Sequence, residues 1–364
     1  MMKVAFRTDA SIQIGTGHVM RCLTLADALV ARGAQCTFIC RAHAGHLMGH
    51  IRSKGHAVHS LPMVGEPDAD LYHSAWLGST QATDAQACKA LLAMMQPDWL
   101  VVDHYALDAR WEHALAKHCG NLMVIDDLAD RPHACNLLLD QTFGRDVQDY
   151  CARVPQDCTL LCGSSYALLR PEFAAMRPYS LQRRAQPQLK HLLISMGGVD
   201  KDNVTAQVLQ ALRPGTLPAD CKITVVMGAT APWLLDVQQQ AQTMPWPTTV
   251  CVGVNNMAQL MADSDLAIGA AGATSWERCC LGLPTVMLVL AENQRCAAEL
   301  LEKTAAACLL QLDNNLPTQL AVLIHEIVLS EMFLQRLTEG AQVITDGDGA
   351  RRIADYMIAE ILND

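Results

Sequence analysis

The chain has 364 residues, a formal net charge of −10, and a composition that is 51% hydrophobic and 18% charged. That is more than one domain usually holds, so two are expected. The acidic balance argues against a nucleic-acid binder, whose footprint is a basic stripe. A small anionic ligand stays compatible with it, because a local helix end outweighs a distant net charge.

The first apolar run, Val4-Ala5-Phe6, ends in the polar group Arg7-Thr8-Asp9. Gly15-Thr16-Gly17-His18 follows, with Arg21 one turn further on, inside a helical stretch from Val19 to Ala31. Further apolar runs stand at Cys36–Cys40, Ala57–Leu61, Trp99–Val102, Leu122–Ile125 and Leu137–Leu139. Helical patterns lie between them, as at Ala85–Met95 and Arg110–His118. This alternation predicts a parallel sheet covered by helices. Polar residues cluster at the ends of the runs: Asp9, Arg41, Asp103-His104-Tyr105, Asp126-Asp127 and Asp140. Open α/β sheets bind ligands at the carboxyl ends of their strands.

Between Arg170 and Lys190 the pattern breaks, with Pro171, Pro178 and Pro187 and the basic Arg177, Arg183 and Arg184. The expected division is therefore a first α/β domain over 1–176, a linker at 177–189, and a second α/β domain over 190–364. In the second half, strands are expected at His191–Ser195, Ile223–Met227, Thr249–Val252, Leu266–Ile268 and Thr285–Leu290. Only helices are expected beyond Asn314.

The 15 cysteines are odd in number, many stand in apolar runs, and none forms a Cys-x-x-Cys pair. That predicts free thiols in a reducing, cytoplasmic compartment and no zinc module. A lone Lys3 ahead of an acidic loop does not read as a signal peptide. No run reaches the roughly 18 uncharged apolar residues of a membrane span.

Three glycine turns join a strand to a helix. The first, Gly15-Thr16-Gly17-His18, is not a dinucleotide fingerprint, because Met20 stands where the third glycine belongs and Cys40-Arg41 where an acidic residue is needed. Gly15 and Gly17 would let a substrate approach the backbone. His18 at a helix start is disfavoured as imidazolium, which leaves it able to take a proton, and Arg21 lies on the same face. The plain alternative is a capping turn with an incidental histidine.

The second turn, Ser195-Met196-Gly197-Gly198 with Asp200 and Asn203, offers free amides to a diphosphate or is an ordinary βα loop. The third runs from Gly269 to Glu277. Small residues around Gly272, then Thr274 and Ser275, admit phosphate oxygens to a helix start, and Glu277 can accept both hydroxyls of a ribose. Alternatively, Thr274 and Glu277 form a capping box. The amides of Asn293 and Gln294, after the Thr285–Leu290 run, can read sugar hydroxyls or acetamido groups, or cap a helix.

Asp68-Ala69-Asp70 matches a metal-nucleotide signature but follows Pro67 in a loop, so no metal is expected there. In the run His43, His46, His50, His56 and His59, the first three could share a helix face, but no cysteine or carboxylate joins them, so a solvated face is expected there.

These pieces resemble the UDP-2,4-diacetamido-2,4,6-trideoxy-β-L-altropyranose hydrolases of pseudaminic acid biosynthesis, a route to flagellin or surface glycan precursors. The resemblance is carried by Phe6-Arg7-Thr8-Asp9, by Ile14 to Cys22, by Asp103-His104-Tyr105, by Cys162 to Phe173, by Ser195 to Asp200, by Ser275-Trp276-Glu277 and by Glu292-Asn293-Gln294.

The resemblance implies two Rossmann-like domains facing across a cleft, the GT-B architecture, with C-terminal helices. The nucleotide would sit mainly on the second domain, at Gly197, Gly198, Gly272, Thr274, Ser275 and Glu277. It also implies hydrolysis of a UDP-sugar by an inverting enzyme without metal or other cofactor, with His18 as the base. Tyr105, Arg170 and Asn293 would contact the substrate, alongside Asp9, Gly15, Gly17, Arg21 and Gln294. The protein is expected to act as a monomer, with no nucleic-acid or membrane partner. A glycosyltransferase or a nucleotide-sugar epimerase of the same fold is the alternative.

Overall fold

In the computed structural model, which describes residues 1–214 and 217–363 apart from the side chains of Asn293 and Asn363, short apolar runs form strands and the stretches between them form helices. The chain divides into two units, Met1–Leu168 together with the chain from Asp348 onward, and Leu169–Gly347.

The first unit holds a seven-stranded sheet. Its strands are β1 (Lys3–Thr8), β2 (Gln35–Arg41), β3 (Ala57–Leu61), β4 (Trp99–Asp103), β5 (Asn121–Ile125), β6 (Leu137–Asp140) and β7 (Thr159–Cys162). They lie in the order β3-β2-β1-β4-β5-β6-β7, every pair parallel.

The second unit holds a six-stranded sheet. Its strands are β8 (His191–Ser195), β9 (Lys222–Met227), β10 (Thr248–Val252), β11 (Leu266–Ala270), β12 (Thr285–Leu288) and β13 (Cys308–Leu310). The order is β10-β9-β8-β11-β12-β13, again all parallel. Edge strands β7 and β13 were not anticipated. They are four and three residues long and only partly buried, so they leave little apolar signal.

A parallel sheet is covered on both faces, so its strands read as continuous apolar runs rather than alternating ones. The period-two side-chain rule then sorts each run between two cores. Val4, Phe6, Trp99, Val101, Met123 and Ile125 fill one face of the first sheet. Ala5, Leu100, Val102, Leu122 and Val124 fill the other. Each fully buried large aliphatic side chain contributes about 1.5–3 kcal/mol.

Two expected boundaries are corrected. Most of the expected linker at 177–189 is helix, since Pro171–Arg184 is one continuous helix. Pro171 opens it, a position where proline costs nothing. The helix continues through Pro178, and its basic residues are used inside the unit. Arg184 is buried and donates to the carbonyls of Met261, Ser264 and Leu281, at the ends of two neighbouring helices. Burial, then the neighbouring Arg183, pull the Arg184 guanidinium down to about 9.

The last helix, Gly349–Asn363, belongs to the first unit rather than the second. Ala350, Ile353, Ala354 and Met357 complete the core on the β1–β4 face. Trp99 Nε1 donates to the Met357 carbonyl at 3.1 Å, and Tyr356 hydroxyl bonds Thr159 Oγ1 at 2.8 Å. No described helix is long and apolar enough to cross a membrane.

Beneath the carboxyl ends of β1 and β2 lies a buried charge network. Asp84 receives Arg7 Nε at 3.1 Å, Arg7 Nη2 at 2.8 Å, Arg41 Nη2 at 2.5 Å and Trp111 Nε1 at 3.0 Å. Burial alone would raise this carboxyl, but the two arginines overcome it and hold it below its usual range. Removing one member of a buried ionic set leaves the others desolvated and unpaired. Asp84→Ala is expected to cost about 3–5 kcal/mol in chemical denaturation. A loss below about 1 kcal/mol would show that the network does not hold this end of the sheet.

Candidate active site

From β1 the chain works outward through β2 and β3, while β4 to β7 extend the sheet the other way. The connections after β1 and β4 therefore diverge, and this reversal leaves a crevice at the carboxyl ends of the two neighbouring strands. Their register places Thr8 opposite Asp103.

The loop after β1 closes on itself: Gly15 N–H donates to the Ser11 carbonyl, and Ser11 Oγ accepts from the N–H groups of Gln13 and Ile14. Gly15 sits at φ +81°, a conformation that favours glycine. A Cβ at Gly15 or at Gly17 would meet nothing within 4 Å, so the backbone borders open space at both. The helix Gly17–Val30 starts there.

His18 Nδ1 lies 2.6 Å from Asp103 Oδ1. Arg21 grips the same carboxylate, Nε to Oδ2 at 2.6 Å and Nη2 to Oδ1 at 2.7 Å, and reaches Asp127 Oδ2 with Nη1 at 2.5 Å. Burial would raise Asp103, but the charge of Arg21, together with the hydrogen bonds from Arg21 and His18, holds it well below the carboxylate range. An ionised Asp103 accepts, so the imidazole donates Nδ1–H to it and Nε2 carries the lone pair. Among the described residues Nε2 makes no hydrogen bond.

Tyr105 donates its hydroxyl to Asp127 Oδ2 at 2.7 Å. Burial, then Asp127, push its phenol well above the ordinary value. It stays neutral, with its ring set edge-on to His18 at 4.6 Å.

The expected residues of this unit take distinct places. His18, Gly15, Gly17, Arg21 and Tyr105 come together. Arg21 and Tyr105 have their polar atoms committed to aspartates, so those atoms fix the site rather than stand free to hydrogen-bond a ligand. Asp9, expected to bind substrate, is fully buried. It pairs with Arg7 at 2.8 Å and accepts the Arg41 N–H. Of the three histidines expected on a solvated face, His43 is mostly covered, with Nε2 3.6 Å from Asp9; further along the run, His56 is buried beside Asp27. Asp68 accepts from the Gln81 N–H at a helix start, and Asp70 pairs with Arg110. The sequence marks Asp103 as a strand-end acid within the resemblance, and Asp127 as a strand-end acid alone. The usable signal was that Asp103 ends an apolar run, as the residues ahead of the glycine turn do.

The second unit repeats the layout at β8 and β11, where its strand order reverses. Gly197, after β8, has φ +92° and open space where a Cβ would stand. Gly198 beside it is exposed. Asp200 takes the N–H groups of Val204 and Thr205, capping the next helix.

After β11 the helix begins at Thr274 with no side-chain cap, so the capping box between Thr274 and Glu277 does not form. Instead Arg278, buried, donates to Thr274 Oγ1 at 3.2 Å, Ser275 Oγ at 3.1 Å and the Ala270 carbonyl at 2.7 Å. Burial lowers this guanidinium to about 10. Arg278 places a cation under the turn and was not read from the sequence. Glu277 lies 3.8 Å from Arg170, and burial raises its carboxyl to about 7 against the pull of Arg170 and Arg278. Gln294 Nε2 lies 3.6 Å from where a Gly272 Cβ would be. The side chain of Asn293 is outside the described residues.

Residues 191–353 match the glycosyltransferase family 28 C-terminal domain. Over 302 residues the chain is 26% identical to the UDP-2,4-diacetamido-2,4,6-trideoxy-β-L-altropyranose hydrolase of Campylobacter jejuni, spanning 83% of this chain and 97% of that one. An uncharacterised protein of Methanocaldococcus jannaschii is 24% identical over 307 residues, again 83% of this chain. The chain spans only 59% of that relative's length. Among solved structures, MurG of Acinetobacter baumannii superposes with a TM-score of 0.70 at 13% identity, over 99% of this chain and 100% of that one. The fold is thus GT-B-like, two parallel-sheet α/β domains with helices at the C-terminus.

Proposed function

We propose that the protein hydrolyses a UDP-linked diacetamido-trideoxy sugar to UDP and the free sugar. The observation that carries this reading is the Asp103–His18 pair, which leaves Nε2 without a partner among the described residues, where the connections after two neighbouring strands diverge. The similarity to the Campylobacter hydrolase supports the substrate class.

In this mechanism His18 Nε2 takes a proton from water as the water oxygen bonds to the anomeric carbon. The bond from that carbon to the diphosphate oxygen breaks, and UDP leaves with the electron pair. Attack opposite the leaving group inverts the anomeric centre. Asp103 holds the ring and balances the imidazolium that forms, and Arg21 holds Asp103. General-base help of this kind contributes about 10²–10⁴-fold. Positioning and stabilisation of the departing diphosphate supply the rest.

The second unit would hold the nucleotide. Amides around Gly197, Gly198, Gly272, Thr274 and Ser275 would receive the diphosphate, with the Arg278 charge beneath them, and Glu277 would accept the ribose hydroxyls. Asn293, Gln294 and Arg170 are assigned to the substrate. No step is assigned to a metal.

Ribose binding to Glu277 needs the carboxylate. Because that group's value stands near 7, its ionised form is present above pH 7 and is lost below it. Affinity for UDP-N-acetylglucosamine, whose diphosphate does not titrate in this range, is expected to fall about tenfold from pH 8 to pH 6. Calorimetry on the wild type and Glu277→Gln checks this: the variant should bind weakly at both values. An unchanged slope in the variant removes Glu277 from the role.

The family 28 match favours one second reading, a glycosyltransferase. Incubation with the UDP-sugar and no acceptor separates the two. A hydrolase releases UDP and sugar together, whereas release only after an acceptor is added makes the protein a transferase.

A further inference from the structure

Beside His18, three rings converge that the hydrolytic chemistry does not use. Trp76 lies nearly parallel to Tyr105, with centroids 5.9 Å apart and planes at 27°. His73 lies 4.2 Å from Trp76 and 5.3 Å from Tyr105. His18 meets Trp76 edge-on at 6.4 Å. Trp76 and His73 come from the irregular stretch between β3 and the helix Gln81–Met95, on the short turn Ser74–Trp76 and the residue ahead of it. Ser74 Oγ, accepting the Leu71 N–H at 3.0 Å, ties that turn down.

Tyr105 is locked from two sides, by Asp127 at its hydroxyl and by Arg131, whose guanidinium carbon stands 5.9 Å from the ring centre. Trp76 and His73 are only half-buried, so ring surface remains open beside the histidine. Among the described residues, the Trp76 indole N–H has no hydrogen-bond partner.

We infer that His73, Trp76 and Tyr105 form a specificity wall that receives the apolar substituents of the sugar, its acetamido methyl groups and its deoxy carbon. The inference rests on the proposed hydrolase reading and deepens it. A diacetamido-trideoxy sugar differs from a common hexose in carrying methyl groups where hydroxyls would be. Aromatic faces suit such groups and leave a hydroxyl unpaired. The indole N–H adds a donor for an acetamido carbonyl, so one side chain meets both ends of that group. Burial lowers His73, which keeps its ring uncharged against an apolar partner. A cluster built only for stability would bury all three rings, whereas here the ring locked at the back is buried and the two in front are half open.

The test compares the wild type, Trp76→Ala and Trp76→Phe. It measures kcat/KM for the UDP-diacetamido-trideoxy sugar, the inhibition constant of UDP-glucose and the dissociation constant of UDP. Trp76→Ala is expected to lower kcat/KM about 10–100-fold, the range for one lost apolar contact. UDP and UDP-glucose should stay within about threefold, because neither carries the groups the wall receives. Trp76→Phe, which keeps an aromatic face, should recover most of the loss. Parallel weakening of UDP and UDP-glucose in Trp76→Ala overturns the wall, as does an unchanged kcat/KM. A wild type that binds UDP yet hydrolyses no diacetamido sugar overturns the hydrolase reading itself, and the wall with it.

Discussion

His18→Asn is expected to cut turnover by about 10²–10⁴-fold while the dissociation constant of UDP stays within about threefold. The separation follows from where the residue sits. His18 lies in the first unit, and its Nδ1 is occupied by Asp103 at 2.6 Å, so only Nε2 can take a proton from water. The turns assigned to the nucleotide, at Gly197-Gly198 and Gly272 to Ser275, lie in the second unit. Asparagine has no basic nitrogen but fills a similar volume and can still hydrogen-bond Asp103, so the fold should hold. A rate within a few-fold of wild type would remove His18 as the base. A matching loss of UDP affinity would mean that the residue acts through the structure.

Asp103→Asn is the second large effect, and it tests a residue whose role lies in positioning. An amide in place of the carboxylate can donate as well as accept, and it no longer dictates that the proton resides on Nδ1. The imidazole can then turn its lone pair toward residue 103 and its N–H toward the water, the wrong tautomer for a base. The loss in kcat is expected to be about 10²–10⁴-fold with KM little changed, as for an interaction that counts only in the transition state. The substitution also takes one acceptor charge from Arg21, which keeps Asp127 at 2.5 Å. A purely structural Asp103 would instead lower thermal stability and UDP affinity together and leave kcat near wild type in the folded fraction.

What could be read from the chain was whatever is local. The glycine turn and His18 lie within four residues of one another, and the apolar runs announce their own strands, so the paired α/β layout was accessible. The partner of His18 was not. Asp103 is 85 positions away, and only the side-by-side placement of β1 and β4 brings the two together. Tyr105 was named through resemblance, but its neighbours Trp76 and His73 come from a stretch with no periodic pattern.

Asp9 misled for a related reason. A carboxylate at a strand end reads alike whether it faces a ligand or a buried guanidinium, and here Arg7 claims it. The final helix misled because an amphipathic stripe shows that a face is buried without showing which sheet it covers. Ile353 and Met357 cover the first sheet, far back along the chain. The prolines and arginines of 170–190 read as a linker until the carbonyls that Arg184 satisfies are seen, and those belong to helices about 80 and 100 residues later.

The central claim is attack by water on the anomeric carbon, and the position of an oxygen label tests it most directly. The protein is incubated with the UDP-diacetamido-trideoxy sugar in ¹⁸O-labelled water without acceptor, and both products are analysed by mass spectrometry before the sugar exchanges its anomeric oxygen. The account predicts one ¹⁸O on C1 of the released sugar and none in UDP. Label in the UDP phosphate would place the attack at phosphorus and contradict it.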